Sequence, residues 1–186
     1  MPATKSATDT RRGILHAASQ VIKEHSAMSL TLDAVSRTAG ISKGGLLYHF
    51  PNKEALIEGM LRQYFSDFDT RLKELLEQEQ NDTPGRWLRA YVKACFSEPP
   101  SDVSLITAGL AAVASTPRLL HIAHEEYAIW RQRAVEDGIT SQTAMLVMQA
   151  TDGVWFSETF GLQIYDAALR LEMMELLLQL IKENRS

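Results

Sequence analysis

The chain has 186 residues, 45% of them apolar and 23% charged, with a formal net charge of −4, which supports one or two packed domains and excludes a disordered polar chain. A lone cysteine, Cys95, excludes an internal disulfide framework and a multi-cysteine zinc site. No apolar run approaches ~18 residues and the opening MPATKSATDTRRG lacks a secretion signal, so a cytoplasmic protein with no membrane partner is expected.

Strand signals are missing and helix signals run throughout. The first stripe is Ile14, Leu15, Ala18, Val21 and Ile22, with Thr8 or Asp9 placed to cap its start. TLDAVSRTAG reads as a short helix: Thr31 caps it, Asp33 suits its positive end, and Gly40 closes it. Ser42 caps a third helix carrying Leu46 and Phe50, which Pro51 stops. Asn52 opens a helix of about six turns, reaching to about residue 80. Thr83-Pro84 and Thr116-Pro117 repeat a cap-then-proline start. Between them lie a helix with Trp87, Leu88, Tyr91, Val92, Cys95 and Phe96 and a small-residue helix over about 103–115. Further helices are expected over about 118–136, 140–163 and 166–183. The fold class is therefore all-α with about nine helices.

Charge is uneven along this plan. Residues 1–53 carry seven basic and three acidic side chains, a net of +4, and residues 54–186 carry a net of −8. A basic end on an acidic body points to a polyanion partner for the N-terminal part. An asymmetry this small also arises by chance, so the motif has to carry the argument.

That motif is residues 31–53, TLDAVSRTAGISKGGLLYHFPNK. Two helices too short to stand alone flank a glycine-containing turn, the arrangement of a helix-turn-helix. The start of the second helix suits a major groove. Ser42 and Lys43 can contact phosphate, Gly44 and Gly45 let the backbone approach, and Tyr48 and His49 offer polar tips. Leu47 can touch a thymine methyl or be partly buried. The alternative is a helical hairpin whose glycines serve packing alone, at a cost of about 1 kcal/mol each against alanine.

Residues 11–56 resemble the N-terminal domain of the TetR family of transcriptional repressors. The likeness rests on Ile14–Ala18, on Leu30-Thr31-Leu32-Asp33 and Val35, on Ala39–Gly44 at the turn, and on Tyr48–Leu56 at the exit. It implies a helix-turn-helix DNA-binding domain over about 8–67, with the fourth helix shared, and a ligand-binding and dimerisation domain over about 68–186. It implies DNA contacts from Thr31, Ser42, Lys43, Gly44, Tyr48, His49 and Lys53. A double-stranded palindromic operator, a second copy of the chain and a small-molecule effector are the implied partners. The pattern departs at Gly45 and Leu47, where the family often has threonine and tyrosine. It departs again at Ser26, where a glycine is common and a serine would be strained.

The body holds the material of an effector pocket: Trp87, Tyr91, Phe96, His121, Tyr127, Trp130, Met148, Trp155 and Phe156. Each of these is also ordinary core material. Asp152 and Glu158 lie in an apolar helix and each calls for a partner, water or solvent. The final two helices are apolar on more than one side, and a homodimer through them is expected. Leu169, Met173, Leu176, Leu177 and Leu180 form a stripe expected to make the dimer interface, and Leu171, Met174, Leu178 and Ile181 form another. His121 and His124 stand one turn apart, but no metal site, cofactor or catalytic set is expected. The expected function is a repressor released from its operator by a small molecule. A helical enzyme or metal-binding protein whose N-terminal helices only pack is the alternative.

Overall fold

The computed structural model describes residues 7–79, 83–97, 119–162 and 165–184. Among these it contains eight α-helices: α1 Ala7–His25, α2 Leu32–Ala39, α3 Lys43–His49, α4 Lys53–Gln78, α5 Arg86–Phe96, α6 Leu120–Val135, α7 Ser141–Thr159 and α8 Ala167–Glu183. The helix expected over 103–115 and the Thr116-Pro117 start lie outside the described residues. No helix among those described is long and apolar enough to cross a membrane. The described residues fall into two compact units, one drawn from 1–64 and 102–122, the other from 65–101 and 123–186.

The first unit is built on α1. Its stripe of Ile14, Leu15, Ala18, Val21 and Ile22 is buried, together with Leu30, Val35, Leu46, Phe50, Leu56, Ile57 and Met60. Thr8 and Asp9 lie inside α1 and do not cap it, because the helix begins at Ala7. Ser26, after α1, has a φ of +121°, the only positive φ of a non-glycine residue among those described. Gly59 marks the closest approach within the unit. A Cβ there would stand 2.6 Å from Phe50 Cε1 and 3.3 Å from Leu15 Cδ2.

The second unit is built around α5, which buries Trp87, Leu88, Ala90, Tyr91, Val92, Ala94, Cys95 and Phe96 and packs on α7 and α8. Its start differs from the expected Thr83-Pro84 signature. The helix begins at Arg86, and Gly85 at the cap position is left-handed with φ +82°. Glycine is required there, since a Cβ would drive into Ile181 Cγ2 of α8. With no side chain on the cap residue, the duty passes across the chain. Asp137 accepts the N–H groups of Trp87 (3.0 Å) and Leu88 (2.8 Å).

Ion pairs tie the rest together. Glu79, just past α4, meets Arg89 at 3.0 Å and also binds Lys93. Burial works against its charge, but the hydrogen bonds from Lys93 and Arg89 outweigh it and hold its carboxyl below the ordinary range. Arg170 of α8 pairs with Glu158 of α7 at 2.9 Å, donates to the carbonyls of Phe96 and Cys95, and lies 5.1 Å over the Phe96 ring. One guanidinium thus joins the end of α5 to α7 and α8.

Candidate nucleic-acid interface

In the first unit the sequence builds an α2–turn–α3 motif with each end capped from within. Thr31 Oγ1 accepts the Ala34 N–H at 3.1 Å. Gly40, at φ +66°, sends its N–H to the Arg37 carbonyl at 3.2 Å, and the Ile41 N–H reaches Ser36 at 3.1 Å. Ser42 Oγ accepts the Gly45 N–H at 3.0 Å and opens α3. Both capping hydroxyls act as acceptors in these bonds, so each keeps its own proton for an outside acceptor such as phosphate. Asn52 Oδ1 takes the Ala55 N–H at 2.8 Å and so places Lys53, exposed, at the first position of α4.

The two faces of α3 are sharply different. Leu46 and Phe50 are fully buried and anchor the helix. Ser42, Lys43, Gly44 and Gly45 are exposed, Leu47 is 37% exposed and Tyr48 83%. The Tyr48 and His49 rings meet edge to face at 5.1 Å. Leu47 therefore sits at the rim, available for apolar contact. A Cβ at Gly44 would meet nothing within 4 Å, whereas at Gly45 it would lie 3.3 Å from the capping Ser42 Oγ. Packing among the described residues thus gives no reason for glycine at 44. Lys43 Nζ pairs with Asp33 at 2.9 Å, with both side chains 57% exposed. Such a pair is worth ~0–1 kcal/mol, so exchanging Asp33 for a phosphate costs little. Arg11 lies 4.9 Å over the Phe50 ring and remains exposed. Neither the Asp33–Lys43 pair nor the Arg11 contact was legible in the sequence, because both depend on tertiary placement.

The second unit gathers four of the expected pocket residues and adds two. Trp87 stacks on Tyr91 at 5.3 Å, Tyr91 meets Trp130 at 5.8 Å, and Tyr127 meets Trp130 at 5.1 Å. Phe65 and Phe68 of α4 join them at 5.7 and 4.9 Å from Trp130. The Tyr91 hydroxyl donates to Asp152 at 2.5 Å, and the Trp130 N–H donates to Asp69 at 3.2 Å. Burial raises Asp152 to about 6 against that hydrogen bond, and it pushes the Tyr91 and Tyr127 phenols and the Cys95 thiol well up. Cys95 is thus an inert buried thiol at neutral pH.

Two family models match this chain. Residues 14–60 match "Bacterial regulatory proteins, tetR family", and residues 85–182, over half of the chain, match "Tetracyclin repressor-like, C-terminal domain". The chain belongs to the TetR family. It is 27% identical over 158 residues to the HTH-type transcriptional regulator UidR of Escherichia coli K12, covering 80% of this chain and 81% of that one. It also matches nucleoid occlusion factors SlmA, among them that of Marinomonas at 29% identity over 39% of this chain, and spans only 37% of that protein's length. Among solved structures, a transcriptional regulator from Pseudomonas aeruginosa PAO1 superposes with a TM-score of 0.77 at 17% identity, covering 95% of this chain and 92% of that one.

Within this TetR family member several expected site residues fall elsewhere. His121 is exposed and belongs to the first unit, not to the aromatic cluster. Phe156 is 46% exposed and meets the Phe160 ring in a tilted contact at 4.5 Å, because it lies on the outer side of α7. Phe96 lies under Arg170, and Met148 is core at 1% exposure. Trp155 is half-buried. On α8 the apolar stripe divides. Leu177, expected at the dimer interface, is 6% exposed and, with Ile181, faces the core of its own unit. Leu169 and Leu176 are exposed, and Met173 and Leu180 are half-buried beside them. Among the described residues no group of three or more histidine, cysteine or acidic side chains could hold a metal.

Proposed function

We propose that this TetR family member is a sequence-specific DNA-binding transcriptional regulator, a cytoplasmic repressor rather than an enzyme. It binds a near-palindromic operator as a homodimer and releases it when a small molecule enters the second unit. The observation that carries this reading is the division of α3. Leu46 and Phe50 lock the helix into the unit while the opposite face, from Ser42 to Tyr48, is left open with a glycine at 44 that packing does not need. That is the arrangement a helix needs to lie in a major groove. Ser42, Lys43, Thr31 and Lys53 supply phosphate contacts, Gly44 and Gly45 allow close approach, and Leu47, Tyr48 and His49 reach base edges.

Two-fold symmetry requires a second copy, and the second unit leaves apolar area for one. Leu146 and Phe156 on α7 and Leu169, Leu171 and Leu176 on α8 are between 44% and 62% exposed. Association through these faces buries them and pairs two recognition helices with two half-sites. The aromatic cluster around Tyr91 supports an effector site in the same unit.

The test is a gel shift on DNA upstream of the protein's own gene, titrated at several salt concentrations. Lys53→Ala is expected to weaken binding to all sequences and to reduce the salt slope by about 1. A slope unchanged by the substitution removes Lys53 from the phosphate contacts.

A further inference from the structure

The carboxylates set into the second unit are not alike. Glu79 is matched by Arg89 and Lys93, and Glu158 by Arg170. Asp137 takes two backbone N–H groups. Asp152 receives a single phenol hydrogen bond, from Tyr91, and among the described residues no lysine, arginine or histidine pairs with it. A half-buried carboxylate without a cation is an expensive thing for a fold to keep. Its setting is aromatic: Tyr91 is stacked on Trp87 and edge-on to Phe68 and Trp130, and Tyr127, 36% exposed, stands at the rim. A second group is also incomplete. The indole N–H of Trp87 is buried and has no acceptor among the described residues.

Arg170 is not a concealed partner for Asp152. Its guanidinium is committed to Glu158 and to the carbonyls at the end of α5. If the carboxylate served only to hold Tyr91, a neutral amide would do the same without the cost of a charge. An acid bonded to the edge of an aromatic cluster fits a positive ligand better. The charge finds its counterion in Asp152, and the rings offer negative faces to the same cation.

We propose that Asp152, with the rings of Tyr91, Trp87, Trp130 and Tyr127, forms a recognition site for an organic cation with an apolar or aromatic body. This rests on the reading of the second unit as the effector-binding part. The chemical class is a quaternary or protonated amine whose charge faces Asp152 and whose apolar body lies against these rings. Between pH 5 and 7.5 the charge on Asp152 changes. The neighbours facing it do not change theirs: the Tyr91 and Cys95 side chains of α5 and Tyr127 of α6 are held neutral by burial. Arg71 of α4 and Arg170 of α8 act on the same cluster through Cys95. Binding of a permanent cation must therefore weaken as pH falls through about 6.

The experiment uses a matched pair of probes on the full chain. Phenyltrimethylammonium is a permanent cation, and tert-butylbenzene is its neutral isostere, carbon replacing nitrogen. Binding is followed at pH 7.5 by calorimetry and by quenching of the tryptophan emission. The cation is expected to bind at least ~10-fold more tightly than the isostere. Asp152→Asn, which still accepts from Tyr91, should abolish that preference and leave isostere binding within ~2-fold. In the unsubstituted protein, cation affinity should fall at least ~5-fold from pH 7.5 to pH 5, which keeps the test decisive even if the variant fails to fold. Equal affinity for the two probes, no pH dependence, equal weakening of both by Asp152→Asn, or no binding of either would overturn the proposal. A parallel operator titration separates this from the functional reading. Release of DNA by the isostere as readily as by the cation sinks the cation class alone. Asp152-dependent cation binding that leaves DNA affinity unchanged sinks the effector role alone.

Discussion

Ser26 shows how a single residue can oppose its fold. Its φ of +121° lies where only glycine is at ease, and a serine held there costs on the order of 1–3 kcal/mol. Ser26→Gly relieves this strain and gives back part of the gain through the freer unfolded chain. We expect a net stabilisation of about 1 kcal/mol, read as a higher urea midpoint at unchanged slope, with the DNA-binding surface untouched. A loss of stability would mean that the serine side chain, 3.5 Å from Ser29 Oγ, contributes more than its backbone costs. This strain was legible in the sequence, because glycine is common at that place in the resembling pattern. The partners of Asp152 and Glu158 were not. Two carboxylates in one apolar helix look equivalent on paper, and only the approach of Arg170 from α8 and Tyr91 from α5 makes one an ion pair and the other an acid with no cation among the described residues.

Among the elements, α5 depends on a cap that local sequence does not contain. Asp137, just past α6, satisfies the Trp87 and Leu88 N–H groups. Burial raises its pKa above the ordinary carboxylate range, and those two N–H donors offset the rise only in part. Asp137→Ala leaves both donors bare and is expected to cost about 1–2 kcal/mol in denaturant unfolding. Asp137→Asn keeps an acceptor and should lose less. An alanine variant as stable as the parent would show that water serves those N–H groups equally well. The sequence reading placed this start at Thr83-Pro84, since capping rules look only at neighbours in the chain. Where the cap is local, at Thr31, Ser42 and Asn52, residue type and position were sufficient to place the helix start. The α2–turn–α3 motif was readable for the same reason: every bond that shapes its ends lies within five residues.

At the scale of the whole molecule, the doubled apolar pattern of α8 raises the expectation of association without saying which stripe takes part. Periodicity assigns Leu176 and Leu177 to adjacent faces with no way of choosing the outer one. The fold chooses, with Leu177 6% and Leu176 58% exposed in the protomer. Leu176→Glu is therefore expected to give a folded monomer in analytical ultracentrifugation, with protomer helicity intact. Leu177→Glu buries an unpaired charge and should unfold the second unit, at a cost of several kcal/mol. A Leu176→Glu protein that sediments as a stable dimer would move the interface away from this face of α8. Dimerisation bears directly on DNA binding, because a two-fold operator offers its half-sites about 34 Å apart and rewards only a protein that presents two α3 helices together.

We assign the reading of base sequence to the open face of α3, where Tyr48 is 83% exposed. The direct measurement is fluorescence anisotropy at fixed salt with two duplexes, one enriched by the protein from a random library and one shuffled from it. The unsubstituted protein should prefer the enriched duplex by at least ~10³-fold. Tyr48→Ala should lose about 1–3 kcal/mol, roughly 5- to 150-fold, on the enriched duplex, while binding to the shuffled one stays within a few-fold and far-ultraviolet dichroism is unchanged. Equal affinity for both duplexes, or a Tyr48→Ala protein that discriminates as well as its parent, would contradict the assignment of α3 as the reading helix.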